Sequence, residues 1–257
     1  MTLQHLHHSI HKHAQDVAEL CDEIGDDFQQ AAVHDFRTTI KKIRALLRWQ
    51  HKGGNIFKGP FGKIYHAAGR VRDLHVLLAT LHKEKTTIPF IQWLEEELDH
   101  SKKSWKKLYR RKIIRHFQKE IEQISTNVSG HTAFFREKTE EIQWIIHMPS
   151  IDDIALHEIR KILKDMQYVT QWCQVNKIPI PSLSSLRLKE NGKKIGAYND
   201  LRIGIELLDV YLAQETHAGI ILDLKDLKQK WLTQKEKQKV SLMRSLSIVD
   251  KISSQMQ

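Results

Sequence analysis

Apolar residues recur at every third or fourth position along most of the chain, the spacing that gives a helix one hydrophobic face. Stretches that alternate apolar and polar residues, as strands do, are scarce. The five prolines and eleven glycines gather mainly between the periodic segments, where they mark turns. The pattern predicts an all-α protein. The predicted helices span residues 2–24, 27–51, 61–84, 88–125, 131–147, 152–175, 182–213, 217–232 and 235–254, and Gly192 could break the seventh of them.

Two segments of the chain are each repeated once, in the same order. VHDFRTTIKKIRALLRW at 33–49 resembles LHEIRKILKDMQYVTQW at 156–172, and AGRVRDLHVLL at 68–78 resembles IGAYNDLRIGIELL at 195–208. Such a repeat is typical of two copies of one helix bundle related by a pseudo-two-fold axis. We expect a single domain with an N-terminal half at about 1–128 and a C-terminal half at about 129–257, joined by the polar stretch STNVSGHT.

The first repeated helix gathers its cationic side chains along one edge. At about 100° per residue, these side chains fall within a sector of roughly 80°, and apolar residues occupy the neighbouring sector. The second copy has fewer cations, because Gln167 and Gln171 stand where the first copy has arginine. The first basic stripe consists of His34, Arg37, Lys41, Arg44 and Arg48, and the second basic stripe consists of His157, Arg160 and Lys164.

The overall charge points to a polyanionic partner. Lysine and arginine outnumber aspartate and glutamate by 41 to 31, which gives a net charge of +10 before any histidine is protonated. Nucleic acid, membrane headgroups and polyphosphate all qualify. No stretch approaches the roughly 20 apolar residues of a membrane span, and the N-terminal residues lack the apolar core of a secretory signal, so we expect a cytoplasmic protein. The two cysteines are expected to be reduced and buried.

Cations spaced three and four residues apart repel each other on a helix by a few tenths of a kcal/mol per pair. A multiply charged anion lying along the stripe would offset that repulsion through charge-assisted hydrogen bonds. The alternative is a basic face that is simply solvated. Because two stripes occur in register and each begins with a histidine, the sequence favours a binding site.

The motifs VHDFRTTIKKIR, GRVRDLHVLL, LHEIRKILKDMQY and IGAYNDL resemble, in their order and spacing, those of the CHAD family, the conserved histidine α-helical domain. The resemblance implies two four-helix bundles that face each other across a central basic channel, and it implies non-catalytic binding of inorganic polyphosphate without a cofactor. The chain resembles a stand-alone member of the family, since we find no counterpart of the triphosphate-tunnel domain often found beside CHAD domains. Matched by position, the channel would be lined by the first four residues of the first stripe, His34, Arg37, Lys41 and Arg44, and by all three residues of the second. Gln167, where the family usually has arginine, implies a stronger N-terminal half, and His75 replaces an aspartate of the family pattern.

Further basic residues lie near the repeated motifs or in the most basic window of the chain, 102–116. They could line the same channel or form solvated outer faces. We interpret Asp73 and Asp200 as partners that orient basic side chains. His7 and His11 have the spacing of two metal ligands, but no third ligand is fixed nearby, so no metal site is predicted. The six tryptophans are expected to be core residues. The additional channel candidates are Lys63, His66, Arg70, Lys107, Arg111, Lys189 and Lys193.

The sequence thus favours a protein that binds inorganic polyphosphate and could be recruited to polyphosphate granules. Two alternatives remain open. A general RNA- or DNA-binding protein would use the same charges, although no recognition-helix or base-stacking motif supports it. A polyphosphate-metabolising enzyme would need acidic metal ligands close to the cations, and the repeated motifs contain only single carboxylates. The oligomeric state is left open.

Overall fold

The computed structural model describes residues 2–25, 27–51, 56–84, 88–124, 131–180 and 185–253. Within these ranges the secondary structure is helical and no strand occurs, which confirms the predicted all-α class. The predicted joint at 125–132 lies largely outside the described residues. The helices are α1 (Thr2–Ile24), α2 (Gln30–Trp49), α3 (Gly59–Glu84), α4 (Ile88–Leu108), α5 (Arg111–Glu122), α6 (His131–Ile146), α7 (Asp153–Val175), α8 (Ser185–Leu212) and α9 (Ala218–Ser253).

The chain divides into two compact units, and each unit combines segments from both predicted halves. Unit 1 comprises Met1–Arg72, Asp99–Lys138 and Lys164–Leu188, and unit 2 comprises Asp73–Leu98, Thr139–Leu163 and Lys189–Gln257. Helices α3, α4, α6, α7 and α8 therefore contribute residues to both units. The relation of the two halves by a pseudo-two-fold axis stays a prediction.

The core of unit 1 is formed where α1 packs against α2 and α5. Helix α1 buries one apolar residue on nearly every turn, and the Gln118 side chain of α5 donates a hydrogen bond of 3.3 Å to the Ala14 carbonyl. Aromatic side chains fill the remaining space, with Phe61 stacked on Phe117 at 3.9 Å between ring centroids. This packing buries the apolar face of α2 and leaves its basic edge partly accessible. The buried residues of α1 are Leu6, Ile10, Ala14, Val17, Cys21 and Ile24.

The core of unit 2 depends on close approach between α8 and its neighbours. A Cβ atom at Gly204 would lie 3.2 Å from the Trp231 ring of α9 and 3.3 Å from the Leu77 side chain of α3. Glycine therefore lets three helices pack tightly at this point. Tyr211 of α8 contacts Phe90 of α4 with ring centroids 5.3 Å apart.

The prediction of a single helix over 88–125 is wrong, because α4 ends and α5 begins within this range. Arg110 is extended, with φ −143° and ψ 127°. Its guanidinium donates to the carbonyls of Lys106 and Tyr109, and the Tyr109 hydroxyl donates to Asp22 of α1 at 2.8 Å. These contacts involve no glycine or proline, so the local pattern gave no sign of a break.

In the C-terminal part, the two predicted helices 217–232 and 235–254 are one continuous helix, α9. No glycine or proline separates them, and the Thr233 hydroxyl donates to the Gln229 carbonyl within the helix. Helix α8 likewise continues through Gly192, which is buried. The start of α2 is later than predicted because Phe28, with φ 49°, still belongs to the turn.

The sequence analysis predicted that all six tryptophans are core residues, but the structure does not bury all of them. Trp49, Trp105, Trp172 and Trp231 are buried and Trp93 is half-buried, but Trp144 is 69% exposed on α6. The expectation of a core role is therefore wrong for Trp144. Both cysteines are buried free thiols, as predicted. In the described part of the chain, no helix combines the length and apolar character that crossing a bilayer requires.

Candidate functional site

The first basic stripe lies along the edge of α2 that remains accessible, as the helical periodicity predicted. Arg37, Lys41, Arg44 and Arg48 are half-buried, and His34 is exposed. The neighbouring apolar sector is closed off, since each of its side chains is at most 1% exposed. Packing therefore fixes the backbone of the helix that carries the cations. The apolar sector consists of Val33, Phe36, Ile40, Ile43 and Leu47.

Arg37 is held against the backbone of α3. Its Nη1 donates a hydrogen bond of 2.9 Å to the Tyr65 carbonyl, and its guanidinium carbon lies 4.6 Å from the centroid of the Tyr65 ring. A Cβ atom at Gly69 would lie only 2.4 Å from Nη1. The glycine of the second repeated motif therefore leaves the space that the arginine of the first motif occupies.

Arg44 lies between aromatic rings in the same unit. Its guanidinium carbon is 5.3 Å from the centroid of the Phe57 ring and 5.7 Å from that of Tyr65. Burial lowers the pKa of Arg44 below its ordinary value, and the nearby charge of Arg48 lowers it further. Even a lowered arginine pKa leaves the group charged at neutral pH, so α2 presents a partly desolvated cation here.

Arg48 has an internal counter-ion that the sequence analysis missed. Its Nη1 donates to Oδ2 of Asp165, on α7, at 2.6 Å. Asp165 is 7% exposed. Burial raises the pKa of the Asp165 carboxyl, and this effect exceeds the opposing attraction of Arg48. Arg48 therefore has a direct ion-pair partner inside the protein.

Cations from three helices, here called the cation cluster, lie close enough to His34 to affect its protonation. Partial burial lowers the pKa of this histidine, and Lys41, Arg72 and Lys164 lower it further by charge repulsion, while Asp35 opposes them. Lys164 belongs to the second stripe, yet it lies in unit 1 with the whole of the first stripe. The Lys164 ammonium donates to the Gln167 carboxamide at 2.9 Å.

The remaining second-stripe residues, His157 and Arg160, are half-buried in unit 2. Burial lowers the pKa of His157, and Arg160, Lys161 and Arg202 lower it further. Its Nδ1 is buried and has no hydrogen-bond partner among the described residues. A Cβ atom at Gly196 would lie 3.9 Å from Nε of Arg160, so the arginine and glycine motifs meet in unit 2 as well, but loosely.

Unit 2 also contains a hydrogen-bond network that includes Lys235 of α9, a helix that the sequence analysis did not assign to the site. Asp153 accepts hydrogen bonds from the Tyr198 hydroxyl and, at 2.6 Å, from the Lys235 ammonium. The Lys235 ammonium also lies 5.4 Å from the centroid of the Tyr198 ring. Although partial burial raises the pKa of Asp153, these hydrogen bonds outweigh it and the net shift is downward.

Six of the seven outer candidates are exposed. Arg70 is half-buried. Arg111 donates to Asp22 at 3.4 Å, a contact that helps to fix the start of α5. The sequence analysis left two alternatives for these residues, lining the channel or forming solvated outer faces. Their exposed positions are compatible with both. The exposed candidates are Lys63, His66, Lys107, Arg111, Lys189 and Lys193.

The histidine pair on α1 does not extend to a larger ligand set. The Nε2 atoms of His7 and His11 are 3.0 Å apart. Within the residues that the structure describes, no group of three or more histidine, cysteine, aspartate or glutamate side chains could hold a metal ion.

The residues that sequence reasoning missed are of two kinds. Arg72 and Arg202 lie inside the second repeated motif, so their motif membership was a signal that could have identified them. Tyr65, Asp165 and Lys235 depend on contacts between helices distant in sequence, for which the local pattern contains no signal.

Comparisons with known proteins agree with these motifs. The family model of the CHAD domain matches residues 8–174, which is more than half of the chain and ends before the C-terminal copy of the second motif. Among solved structures, PptA from Streptomyces chartreusis is similar with a TM-score of 0.70 at 12% sequence identity, over 95% of this chain and 98% of that chain. At this identity the likeness concerns the fold alone. A comparison with curated protein sequences finds no significant match.

Proposed function

The chain belongs to the CHAD family, and on that basis we propose that it binds inorganic polyphosphate through the basic side chains of α2 and α7, without converting it chemically. We propose that the two stripes contact phosphates, and we add Arg72 and Arg202 to them because their charges act on His34 and His157. The proposed location is the cytoplasm, with recruitment to polyphosphate granules.

The cation cluster around His34 carries this proposal. Lys41, Arg72 and Lys164 come from three helices and lie close enough to lower the pKa of one imidazole. A polyvalent anion at this cluster would attract each of the three cations and would also favour protonation of the His34 imidazole. Polyphosphate has one negative charge or more on every phosphorus, so its charge density suits a compact cluster.

The basic residues available to the ligand differ in what they can donate. Arg37 and Arg44 present planar guanidinium groups, which can bind two phosphate oxygens at once. Lysines act as mobile point charges. Because binding would release counter-ions from both partners, affinity should fall steeply as salt concentration rises.

The defining experiment is a titration of the purified protein with long-chain polyphosphate at several salt concentrations, beside single-stranded RNA of matched charge. The proposal expects salt-sensitive polyphosphate binding that RNA does not displace. Equal or tighter binding of RNA would favour a general polyanion-binding protein. Release of orthophosphate in the presence of Mg²⁺ would instead indicate an enzyme.

A charge-reversal pair tests the assigned residues. Arg37→Glu combined with Arg160→Glu should abolish polyphosphate binding, because it places anions in both stripes. The matched control combines Lys225→Glu with Lys237→Glu, two exposed positions on α9, and changes the net charge by the same amount. Circular dichroism and thermal unfolding must show that both proteins remain folded. Equal loss of binding in the control would mean that overall charge, and not the stripes, determines affinity.

A further inference from the structure

The contact between Gly69 and Arg37 suggests why the two repeated motifs occur together. In an ordinary helix, the Tyr65 carbonyl accepts a hydrogen bond from the amide four residues later, which is that of Gly69. Arg37 Nη1 donates to the same carbonyl at 2.9 Å. It can do so because the backbone of α3 has no side chain at position 69, where a Cβ would lie 2.4 Å from Nη1 and 3.0 Å from the guanidinium carbon.

We propose that Gly69 and Tyr65 are positioning residues that hold the Arg37 guanidinium in the orientation in which it binds phosphate. This inference rests on the proposed function. The carbonyl fixes one of the five N–H donors of arginine, and the Tyr65 ring, 4.6 Å away, lies against the guanidinium. A guanidinium that is already oriented loses less conformational entropy when it binds a ligand.

The two halves of the chain differ in this respect. In unit 2 the matching Cβ at Gly196 would approach Arg160 Nε to 3.9 Å, an ordinary van der Waals distance. Arg160 therefore does not depend on the absence of a side chain at position 196. This difference supplies a matched control inside the same protein.

The test substitutions are Gly69→Ala and, as control, Gly196→Ala. Both glycines lie within helices, where alanine is the more favourable residue, so both substitutions should leave the thermal unfolding temperature unchanged or raise it. The atoms displaced by alanine at position 69 belong to the flexible end of a side chain, so the fold can adapt. Affinity for long-chain polyphosphate should fall about tenfold in Gly69→Ala, because the Arg37 side chain would have to be ordered when it binds phosphate, and should not change in Gly196→Ala.

A decrease in affinity without a decrease in stability distinguishes positioning from a general structural role. A double-mutant cycle completes the test, because Gly69→Ala should have no effect on affinity once Arg37 is alanine. An equal effect in that background would overturn the proposal, and so would unchanged affinity in Gly69→Ala itself.

A ligand-free measurement separates this inference from the proposed function. Nitrogen-15 NMR of the Arg37 guanidinium should show restricted rotation in the wild type and faster rotation in Gly69→Ala. Equal rotation in both proteins would overturn the positioning role. If the wild type bound no polyphosphate, the proposed function would be wrong, whereas the NMR comparison would still decide whether Gly69 fixes Arg37.

Discussion

Replacing Asp165 by asparagine should strengthen polyphosphate binding without unfolding the protein. The substitution removes the negative charge that lies 2.6 Å from Arg48 and keeps an oxygen that can accept the same hydrogen bond. Arg48 would then lose its internal counter-ion, and its charge would become available to the ligand. If the ion pair between Arg48 and Asp165 stabilised the fold, Asp165→Asn should instead lower the unfolding free energy.

The magnitude follows from two opposing contributions. The Coulomb attraction across 2.6 Å is about 6 kcal/mol at an effective dielectric constant of about 20, and it is smaller here because the Arg48 side chain is 37% exposed. Burying the Asp165 carboxylate costs several kcal/mol. The raised pKa of Asp165 means that burial is the larger effect, so the ionised form contributes less stability than the protonated form. Stability therefore falls as pH rises through the raised pKa, and the neutral asparagine avoids that loss.

We expect the unfolding free energy of Asp165→Asn to be unchanged or higher by about 1 kcal/mol, measured by thermal and urea unfolding at neutral pH. Polyphosphate affinity should rise about fivefold, and the logarithmic slope against salt should steepen by about 0.7 to 0.9, the value for one further phosphate contact. Asp209→Asn is the control, because this exposed aspartate pairs with Lys228 in unit 2. A loss of stability above about 2 kcal/mol, or weaker binding by a folded variant, would refute the reasoning.

Three further predictions concern protonation and burial. Burial, and after it the neighbouring cations, lower the pKa of His34 and His157, and a bound polyanion would raise it. Affinity should therefore increase as pH falls from about 8 to about 5, and titrations should show a flatter profile when both histidines are glutamine. Lys235→Met should lower the unfolding free energy by about 1 kcal/mol at neutral pH, because it removes a hydrogen-bond donor from the ionised Asp153. The pKa of the Asp153 carboxyl is lowered, so the difference from wild type should vanish in acid-unfolding measurements as the pH falls through that pKa. Both cysteines are buried with raised pKa values, so a thiol reagent should modify them in urea and not in the folded protein; modification at equal rates would contradict their burial.

Helical periodicity predicted the orientation of α2 because that property depends on nearby residues. The apolar positions beside the basic stripe proved to be buried, and the stripe itself remained accessible. The repeat shows that an arginine motif and a glycine motif occur together in each half of the sequence. Contact between Arg37 and Gly69 is the physical basis of that association in the first copy.

Features that depend on distant residues could not be read from the sequence. The break between α4 and α5 involves a hydrogen bond from Tyr109 to Asp22, 87 positions earlier, and the counter-ion of Arg48 lies 117 positions later. A helical wheel contains no information about such partners. Trp144 shows the same limit, because an aromatic residue at a helical position is buried only if another element covers it.

The division of both units among separate segments has a consequence for synthesis on the ribosome. Unit 1 includes Lys164–Leu188, and unit 2 extends to the C-terminal segment Lys189–Gln257. Neither unit is therefore complete when the first half of the chain has emerged, and early helices must wait for partners that are translated much later. Since such non-local contacts slow folding, we expect the nascent chain to expose apolar helix faces over an extended period and to benefit from chaperones that bind them.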